Sequence, residues 1–416
     1  MDPHAAPSLL VIFTIAALTP ILVDLPKGIR VPGVVAEIIL GIIVGPQELG
    51  WVHTGEVVNT FAEFGLAMLI FLAGFEIDIQ RIKGRPITLA LTAWGFSLAV
   101  GLAVGGILAA SGFAISSLVI GLALTTTALG TLLPILADAG ELGTPFGAAV
   151  LAGGAVGEVC PIVAIALLLA SNNPASTVLV LLAFVALIMG AIWLALRPRP
   201  QRLGRLLSTT LHTSGQLAVR LCLLLLAALV WLASELDLDV LLGAFGAGLV
   251  VRIFLERPGN DPKELHDINE RLSSIGYGLF IPLFFVVTGV RFDLDALFGS
   301  PTTVLRVPLF LALFVLARGV PSWIVHRKDL PRDQLLPYSL MMSTALPLVV
   351  VITTIGLDTN RMKPENAAAL VGAGLLSVMV MPTIALRMRD RGPSTSPTGL
   401  SADPAIDPAI DPTGTA

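Results

Sequence analysis

Apolar runs of roughly 20 residues recur along the whole chain, each bounded by short polar or Gly/Pro-containing connections. A helix of that length crosses the hydrocarbon core of a bilayer, where backbone polar groups must find partners within the chain. Hydrophobic residues make up 55% of the sequence and charged residues 13%, whereas soluble domains carry about a quarter charged residues. The sequence therefore predicts an all-α polytopic membrane protein and leaves no segment for a soluble catalytic domain.

The apolar runs predict about thirteen transmembrane helices. Their centres lie near Thr14, Ile39, Met68, Gly101, Thr126, Glu158, Phe184, Leu225, Ala247, Pro282, Leu313, Ala345 and Leu375. The first run begins at Ser8 without a basic leader or a cleavage site, so we expect it to be a retained helix. Lys and Arg gather in alternate connections, and the opposite connections hold only Arg291, Arg361 and Lys363. Because basic residues favour the cytoplasmic side, we expect the N-terminus outside and the C-terminus in the cytoplasm.

Glu158 stands alone in the apolar stretch from Gly143 to Ala170, which is long enough to cross a bilayer. A carboxyl group at that depth loses its water when ionised and still requires a hydrogen-bond partner when protonated. Acidic residues inside membranes therefore mark sites that handle protons or cations. The alternative is a structural acid that is hydrogen-bonded inside the bundle.

Three pairs of spans resemble each other, and in each pair the partners are seven spans apart. Gly74 aligns with Gly289, and the other two pairs align at Gly41 with Gly248 and at Thr127 with Thr344. Seven is an odd number, so the two halves must cross the membrane in opposite directions, as in inverted-repeat transporters. We expect repeats over about 8–170 and 213–388 within a transmembrane domain of residues 1–390, although apolar sequence also produces chance matches.

The fifth and twelfth spans carry the residues of discontinuous helices. The fifth holds Thr125, Thr126, Thr127, Gly130 and Pro134, and the twelfth holds Ser343, Thr344 and Pro347. Proline removes a backbone donor, and Ser or Thr hydroxyls bond to nearby carbonyls or compete for them. Freed carbonyls and hydroxyls in a wet cavity suit a dehydrated alkali cation. An ordinary proline kink in a continuous helix is the alternative for each span.

Arg318 lies deep in the eleventh span, where a guanidinium requires a counter-charge or water. Glu158 is the candidate counter-charge. The alternatives are that Arg318 extends to the cytoplasmic surface or braces backbone carbonyls. Glu37 and Glu63 could line the bundle interior, and we expect Glu76 at the membrane interface beside a basic loop.

The remaining features argue against other classes of site. Cys160 and Cys222 lack the spacing of metal ligands, and the five histidines fall in connections or at span ends, so we expect no cofactor. We also expect no nucleic-acid partner. The proline-rich segment 391–416 is predicted to be a disordered cytoplasmic tail.

Between Ile12 and Met388 the chain resembles the monovalent cation:proton antiporter-2 family of the cation/proton antiporter superfamily. The segments VPGVVAEIILGIIVGP, GLAMLIFLAGFEIDI and LFIPLFFVVTGVRFDL carry the resemblance. It implies a thirteen-helix fold with a dimerisation part, a movable core part and two crossed, unwound helices, and hence a homodimer. In this family the core acid is usually Asp preceded by Asp, Asn or Gln, whereas this chain has Gly157 and Glu158, and Arg318 stands where Lys is frequent.

The resemblance implies exchange of a monovalent cation for H⁺ rather than an enzymatic reaction. Glu158 is then the site of the proton or of Na⁺ (K⁺ being the second candidate), and Thr126, Thr127, Ser343 and Thr344 supply the unwound segments. A single carboxylate that alternates between two monovalent cations predicts electroneutral exchange. A sodium-coupled symporter of organic anions is the main alternative. A cation channel or an intramembrane enzyme is less favoured, because no re-entrant filter and no second catalytic group is apparent.

Overall fold

The computed structural model describes residues 5–24, 32–77, 82–168, 182–190, 193, 216–236, 238–256 and 262–390, and all the regular elements in these ranges are helical. The helices of the first half are α1 (Ala5–Asp24), α2 (Gly33–Val44), α3 (Glu56–Glu76), α4 (Arg85–Ala110), α5 (Ser117–Ala123), α6 (Leu129–Asp138) and α7 (Pro145–Leu168). Residues 182–190 are also helical.

The helices of the second half are α8 (Leu217–Glu235), α9 (Val240–Leu255), α10 (Pro262–Ile275), α11 (Ile281–Val290), α12 (Leu294–Phe298), α13 (Pro301–Phe314), α14 (Val320–His326), α15 (Arg332–Met342), α16 (Pro347–Asp358) and α17 (Pro364–Asp390). A π-helical segment, Gly276–Phe280, joins α10 to α11, and a second one, Val315–Gly319, joins α13 to α14.

Nine helical stretches within the described ranges are long and apolar enough to cross a membrane, and α2 and α9 are shorter apolar helices. The chain is therefore a multi-pass, all-helical membrane protein. The sequence predicted about thirteen spans. Much of the one expected near Phe184 lies outside the described residues, as does the tail from 391 to 416.

Two apolar helical segments are interrupted. Residues 124–128 separate α5 from α6, and residues 343–346 separate α15 from α16. The breaks fall on the Thr125–Thr127 and Ser343–Thr344 segments that the sequence indicated, whereas Gly130 and Pro134 lie inside α6. The backbone N–H of Ala128 donates to the Thr344 carbonyl at 2.8 Å, so the two breaks meet directly. We call the place where residues 124–128 meet residues 343–346 the crossing.

Glycines bring α2 and α11 into backbone contact. A β-carbon at Gly41 would lie 2.2 Å from the Val286 carbonyl oxygen, and one at Gly289 would lie 2.1 Å from the Ile38 carbonyl oxygen. Only glycine permits this approach. Close packing of small residues is a main source of helix association in membranes, where lipid offers no hydrophobic driving force.

Helices α3 and α9 meet in the same way and with the same register. A β-carbon at Gly248 would lie 2.0 Å from the Phe71 carbonyl oxygen, and one at Gly74 would lie 2.4 Å from the Phe245 carbonyl oxygen. In both helix pairs each glycine faces the carbonyl three residues before its partner glycine. The two helix pairs therefore share one pattern of glycine contacts.

The helices pack more closely within two groups than between them. The first group contains α1, α2, α3, α8, α9 and α11, and the second contains α4 to α7 and α13 to α17. Helices α3 and α9 of the first group contact α6 and α7 of the second. The crossing of the two breaks belongs to the second group and lies near this boundary.

We predict that Gly248→Val lowers the thermal unfolding midpoint of the detergent-purified protein, because the new side chain forces α9 away from α3. Overpacking of this kind costs about 1–3 kcal/mol. Gly106→Val is the control, since a β-carbon at Gly106 would have no neighbour within 4 Å. Equal midpoints for the two variants would contradict the predicted α3–α9 contact.

Candidate functional site

The Glu158 side chain is held inside the protein by α7. Glu158 is only 4% exposed. The preceding turns of α7 are rich in Gly and Ala, which lets neighbouring helices approach. The backbone N–H groups of Leu129 and Gly130, at the start of α6, interact favourably with its ionised carboxyl group. The N-terminus of a helix presents unsatisfied N–H groups and a partial positive charge. The start of α6 thus favours a negative charge on Glu158.

One carboxyl oxygen of Glu158 remains without a partner. Its Oε2 atom is buried and has no hydrogen bond within the described part of the chain. A buried polar atom without a partner is costly and requires an explanation. An oxygen in this position can accept a proton or coordinate a cation.

Pro161 in α7 leaves a backbone carbonyl free to accept a hydrogen bond from the break between α5 and α6. The carbonyl of Gly157 would normally accept the N–H of residue 161, but Pro161 has none. The backbone N–H of Thr127 donates to this carbonyl at 3.0 Å instead. The break between α5 and α6 is therefore anchored to α7 one residue before Glu158.

Thr127 connects three elements at the crossing. Besides its backbone bond to α7, its hydroxyl donates to the Met342 carbonyl, at the end of α15, at 2.8 Å. The same hydroxyl oxygen accepts a hydrogen bond from Arg318 Nε at 2.8 Å. Thr127 is thus the predicted site residue whose side chain directly joins the two discontinuous helices.

The other predicted hydroxyls turn back onto their own chain segments. Thr126 donates to the Ala123 carbonyl at 2.9 Å, and Ser343 donates to the Ser339 carbonyl at 2.8 Å. Thr344 donates to the carbonyl of Leu340 at 3.4 Å. These bonds satisfy carbonyls at the ends of α5 and α15. The structure brings Thr126, Ser343 and Thr344 to the crossing, but their hydroxyl hydrogens are already used.

Arg318 is fully buried and lies in the π-helical segment between α13 and α14. Its Nε donates to Thr127, and its Nη2 donates to the Gly153 carbonyl at 2.7 Å. Among the described residues it forms no ion pair with Glu158. The structure thus agrees with the alternative in which Arg318 braces a backbone carbonyl and does not support the counter-charge interpretation.

Glu76 is the acidic residue that the sequence analysis misplaced. The basic loop nearby indicated a position at the membrane interface, yet its Oε2 atom is buried and has no hydrogen bond among the described residues. The charge of Glu76 disfavours a negative charge on Glu158. Tyr277 interacts electrostatically with both carboxyls, and Arg252 with Glu76. The alignment of Glu76 with Arg291 between the repeats gave no indication of this placement.

The remaining candidate acids lie elsewhere. Glu37 is buried within α2, whereas Glu63 is exposed on α3. His326, which the sequence placed at a span end, ends α14 but is buried, and its Nε2 lies 3.2 Å from the Tyr338 hydroxyl. These residues are not hydrogen-bonded to Glu158 in the part of the chain that the structure describes.

A cavity of about 710 Å³ opens between the two helix groups. The first group lines it from α3, α9 and α11, and the second from α16 and α17. Arg291 and Asp358, at the ends of α11 and α16, are among its lining residues, and Glu158 is not. The cavity thus separates the groups without reaching the buried carboxyl.

Comparison with known protein families shows which family this chain belongs to. A sequence model described as "Sodium/hydrogen exchanger, transmembrane" matches residues 13–387. The chain belongs to this family. Members of an exchanger family are transporters, which confirms the prediction that the chain is not an enzyme.

Curated relatives share the same region of sequence. The putative Na(+)/H(+) antiporter YjbQ of Bacillus subtilis is 27% identical over 394 residues, which cover 90% of this chain and 62% of the relative. The chain therefore spans less than two thirds of that relative's length. The Na(+)/H(+) antiporter of Enterococcus hirae is 23% identical over 370 residues, covering 85% of this chain and 91% of the relative.

A solved structure has the same fold. The sodium proton antiporter MjNhaP1 from Methanocaldococcus jannaschii superimposes with a TM-score of 0.67, over 93% of this chain and 99% of that chain. The sequence identity is 18%, so this similarity concerns the fold.

We predict that Thr127→Val lowers the thermal unfolding midpoint more than Thr126→Val does. Valine at 127 removes the bonds to Met342 and Arg318 and leaves a buried guanidinium short of one acceptor, which costs about 1–3 kcal/mol. Thr126→Val is the matched control because its hydroxyl bonds only within its own segment. Midpoints of the purified variants provide the measurement, and a larger effect at 126 would contradict the role of Thr127 at the crossing.

Proposed function

We propose that this protein exchanges a monovalent cation for H⁺ across the membrane, with Glu158 as the exchangeable site. The observation that supports this most directly is the buried, unpartnered Oε2 atom of Glu158 beside the crossing of the two breaks. The N–H groups of α6 stabilise a carboxylate, and the open oxygen accepts either the proton or the cation. The family and the names of the two curated relatives favour Na⁺ over K⁺.

The proposed mechanism follows from the cost of a net charge in a low-dielectric interior. When Glu158 carries neither ion, its negative charge holds the second helix group at a water-accessible position. Binding of H⁺ or Na⁺ neutralises the charge, and the group can then move past the first group and release the ion on the other side. The two ions compete for one oxygen, so the binding of one displaces the other.

The unwound segments supply the rest of the proposed site. Backbone carbonyls around Thr126, Thr127, Ser343 and Thr344 complete the shell of a dehydrated Na⁺ whose charge Glu158 neutralises. Arg318 holds these segments together through Thr127 and Gly153. In this proposal Arg318 shapes the site as a fixed cation and does not exchange protons.

Glu76 adds a second buried carboxyl group near Glu158 but does not change the proposed exchange ratio. A second buried carboxylate near Glu158 makes simultaneous ionisation of both groups unfavourable. A proton that stays on the pair leaves one exchangeable negative charge. We therefore propose electroneutral one-for-one exchange, as a single carboxylate would give.

We further propose thirteen spans arranged as two inverted repeats, over about 8–170 and 213–388, with the two discontinuous helices crossing at the site. The identical register of the two glycine contacts supports this symmetry. The basic connections favour an N-terminus outside and a cytoplasmic C-terminus. The motifs favour the monovalent cation:proton antiporter-2 subfamily and a homodimer formed through the first helix group.

Glu158→Gln should abolish exchange while leaving the protein folded, because an amide occupies the same volume but cannot carry the exchangeable charge. The measurement is Na⁺-induced dequenching of a ΔpH-sensitive dye in everted vesicles. Glu56→Gln is the matched control, since Glu56 is exposed at the start of α3. Dequenching by Glu158→Gln at the control level would reject Glu158 as the exchange site.

Electroneutral exchange predicts that a membrane potential does not change the initial rate of Na⁺-dependent proton flux. Proteoliposomes with a K⁺/valinomycin potential of either sign, at equal pH gradients and Na⁺ concentrations, provide this measurement. Parallel assays with Li⁺, and with K⁺ in the absence of valinomycin, establish the selectivity. A rate that rises with potential of one sign and falls with the other would contradict the one-for-one ratio.

A further inference from the structure

Ser377 lies on α17 and is fully buried against the break between α15 and α16. Its hydroxyl oxygen accepts a hydrogen bond from the backbone N–H of Ala345 at 3.0 Å. The hydroxyl hydrogen has two acceptors within reach, the Ala345 carbonyl at 3.0 Å and the Gly374 carbonyl at 2.7 Å. A hydroxyl can accept a bond while it donates its one hydrogen, so the bond from the Ala345 N–H persists whichever carbonyl receives that hydrogen. Ser377 thus provides the acceptor for a backbone N–H inside the second break.

A glycine three residues before Ser377 lets α17 approach the break. A β-carbon at Gly374 would lie 2.8 Å from the Ala345 carbonyl oxygen and 3.2 Å from Leu346 Cδ1. Even the smallest side chain would therefore press on the backbone of the break. Gly374 and Ser377 face the same part of the break, and this close approach brings the Ser377 hydroxyl within hydrogen-bond distance of it.

The peptide group between Thr344 and Ala345 is bound at both ends. Its N–H donates to Ser377, and its carbonyl, which belongs to Thr344, accepts the N–H of Ala128 at 2.8 Å. A peptide group is planar, so fixing the direction of its N–H also fixes the direction of its carbonyl. Ser377 therefore orients the carbonyl that holds the first break at the crossing.

Ala128 directly precedes the start of α6, which lies along α7 near Glu158. The break before α6 is anchored to α7 through the backbone N–H of Thr127. A β-carbon at Gly154 would lie 2.8 Å from Leu129 Cδ1, so the first residue of α6 packs on α7 one turn before Glu158. The contacts of α6 with α7 thus continue on both sides of the residue that the second break holds.

The geometry assigns to Ser377 a positioning role: its hydroxyl fixes the peptide group 344–345, and the bond from Ala128 to that peptide holds the start of α6 beside Glu158. This inference rests on the proposed function of Glu158. It adds that α17, which carries none of the proposed ion ligands, contributes to the balance between proton and cation at the site.

Removal of the Ser377 hydroxyl should strengthen proton binding without weakening the intrinsic binding of Na⁺. Glu158 is ionised both when it is empty and when it holds Na⁺, so the N–H groups at the start of α6 stabilise these two forms similarly. The protonated carboxyl gains much less from them. A less firmly held start of α6 therefore favours the protonated form, and H⁺ then competes better with Na⁺.

The test measures the KM for Na⁺ at several pH values in proteoliposomes that contain wild type, Ser377→Ala or Thr383→Ala. Ser377→Ala should raise the KM about threefold at the acidic end of the active range, as expected for partial loss of one hydrogen bond. At the alkaline end, where protons no longer compete, the KM should equal that of the wild type. Thr383→Ala is the matched control, because Thr383 is exposed on the same helix and donates to its own Met379 carbonyl. A KM equal to the control at every pH, or raised equally at every pH, would overturn the inference.

Ser377→Cys provides a milder variant in case Ser377→Ala does not fold. A thiol is a weaker hydrogen-bond partner than a hydroxyl, so Ser377→Cys should shift the KM in the same direction and by less than Ser377→Ala. A KM of Ser377→Cys equal to that of Thr383→Ala, when Ser377→Ala cannot be purified, would count against the positioning role. Failure of both Ser377 variants to fold would also count against it, since it would assign Ser377 to folding alone.

Hydrogen–deuterium exchange of the purified proteins separates this inference from the proposed function. Ser377→Ala should increase deuterium uptake in residues 343–346 and also in residues 124–130, because the N–H of Ala128 loses its fixed acceptor. An increase confined to residues 343–346 would contradict the link between the breaks. Absence of Na⁺-dependent proton flux in the wild type would refute the proposed function, whereas the exchange measurement tests the link independently of transport.

Discussion

A carboxylate that is removed from water requires compensation for its charge, and the arrangement around Glu158 follows from this requirement. The start of α6 supplies N–H groups to the carboxyl, and no cationic side chain among the described residues pairs with it. A permanent ion pair would satisfy the charge so well that a monovalent ion could not compete. A helix terminus carries only about half an elementary charge, so it stabilises the anion partially and leaves room for a proton or a cation.

Arg318, the buried cationic side chain at the crossing, does not compensate the charge of Glu158. Arg318 is bound to Thr127, whose hydroxyl in turn bonds the end of α15. The C-terminal end of a helix carries a partial negative charge, and a guanidinium nearby is favourable there. The crossing of two broken helices brings a positive helix start to Glu158 and a negative helix end near Arg318. Each of the two charged side chains is partly compensated without an ion pair, Glu158 by the start of α6 and Arg318 by the Thr127 hydroxyl and the Gly153 carbonyl.

The sequence predicted those parts of the site that depend on local chemistry. Glu158 was identifiable because an isolated acid in an apolar span is rare, and the breaks were identifiable because Thr, Ser and Pro cluster there. The direction of the Arg318 side chain was not predictable, since it depends on which carbonyls the packing of α7 leaves open. Glu76 was misplaced for the same reason: its distance along the chain from a basic loop says little about the helix it faces. The hydroxyls of Thr126, Ser343 and Thr344 could equally serve an ion or a carbonyl, and only the folded geometry shows that they serve carbonyls.

The glycine contacts and the crossing stabilise the two helix groups in different ways. Backbone contact between α2 and α11, and between α3 and α9, makes the first helix group resistant to deformation, because its helices meet through carbonyls and not through flexible side chains. The second group is held together at the crossing by hydrogen bonds centred on Thr127. The cavity between the groups leaves them less tightly joined to each other than each is within itself. Movement at this boundary would carry Glu158 and the crossing as a unit and would preserve every hydrogen bond that defines the site.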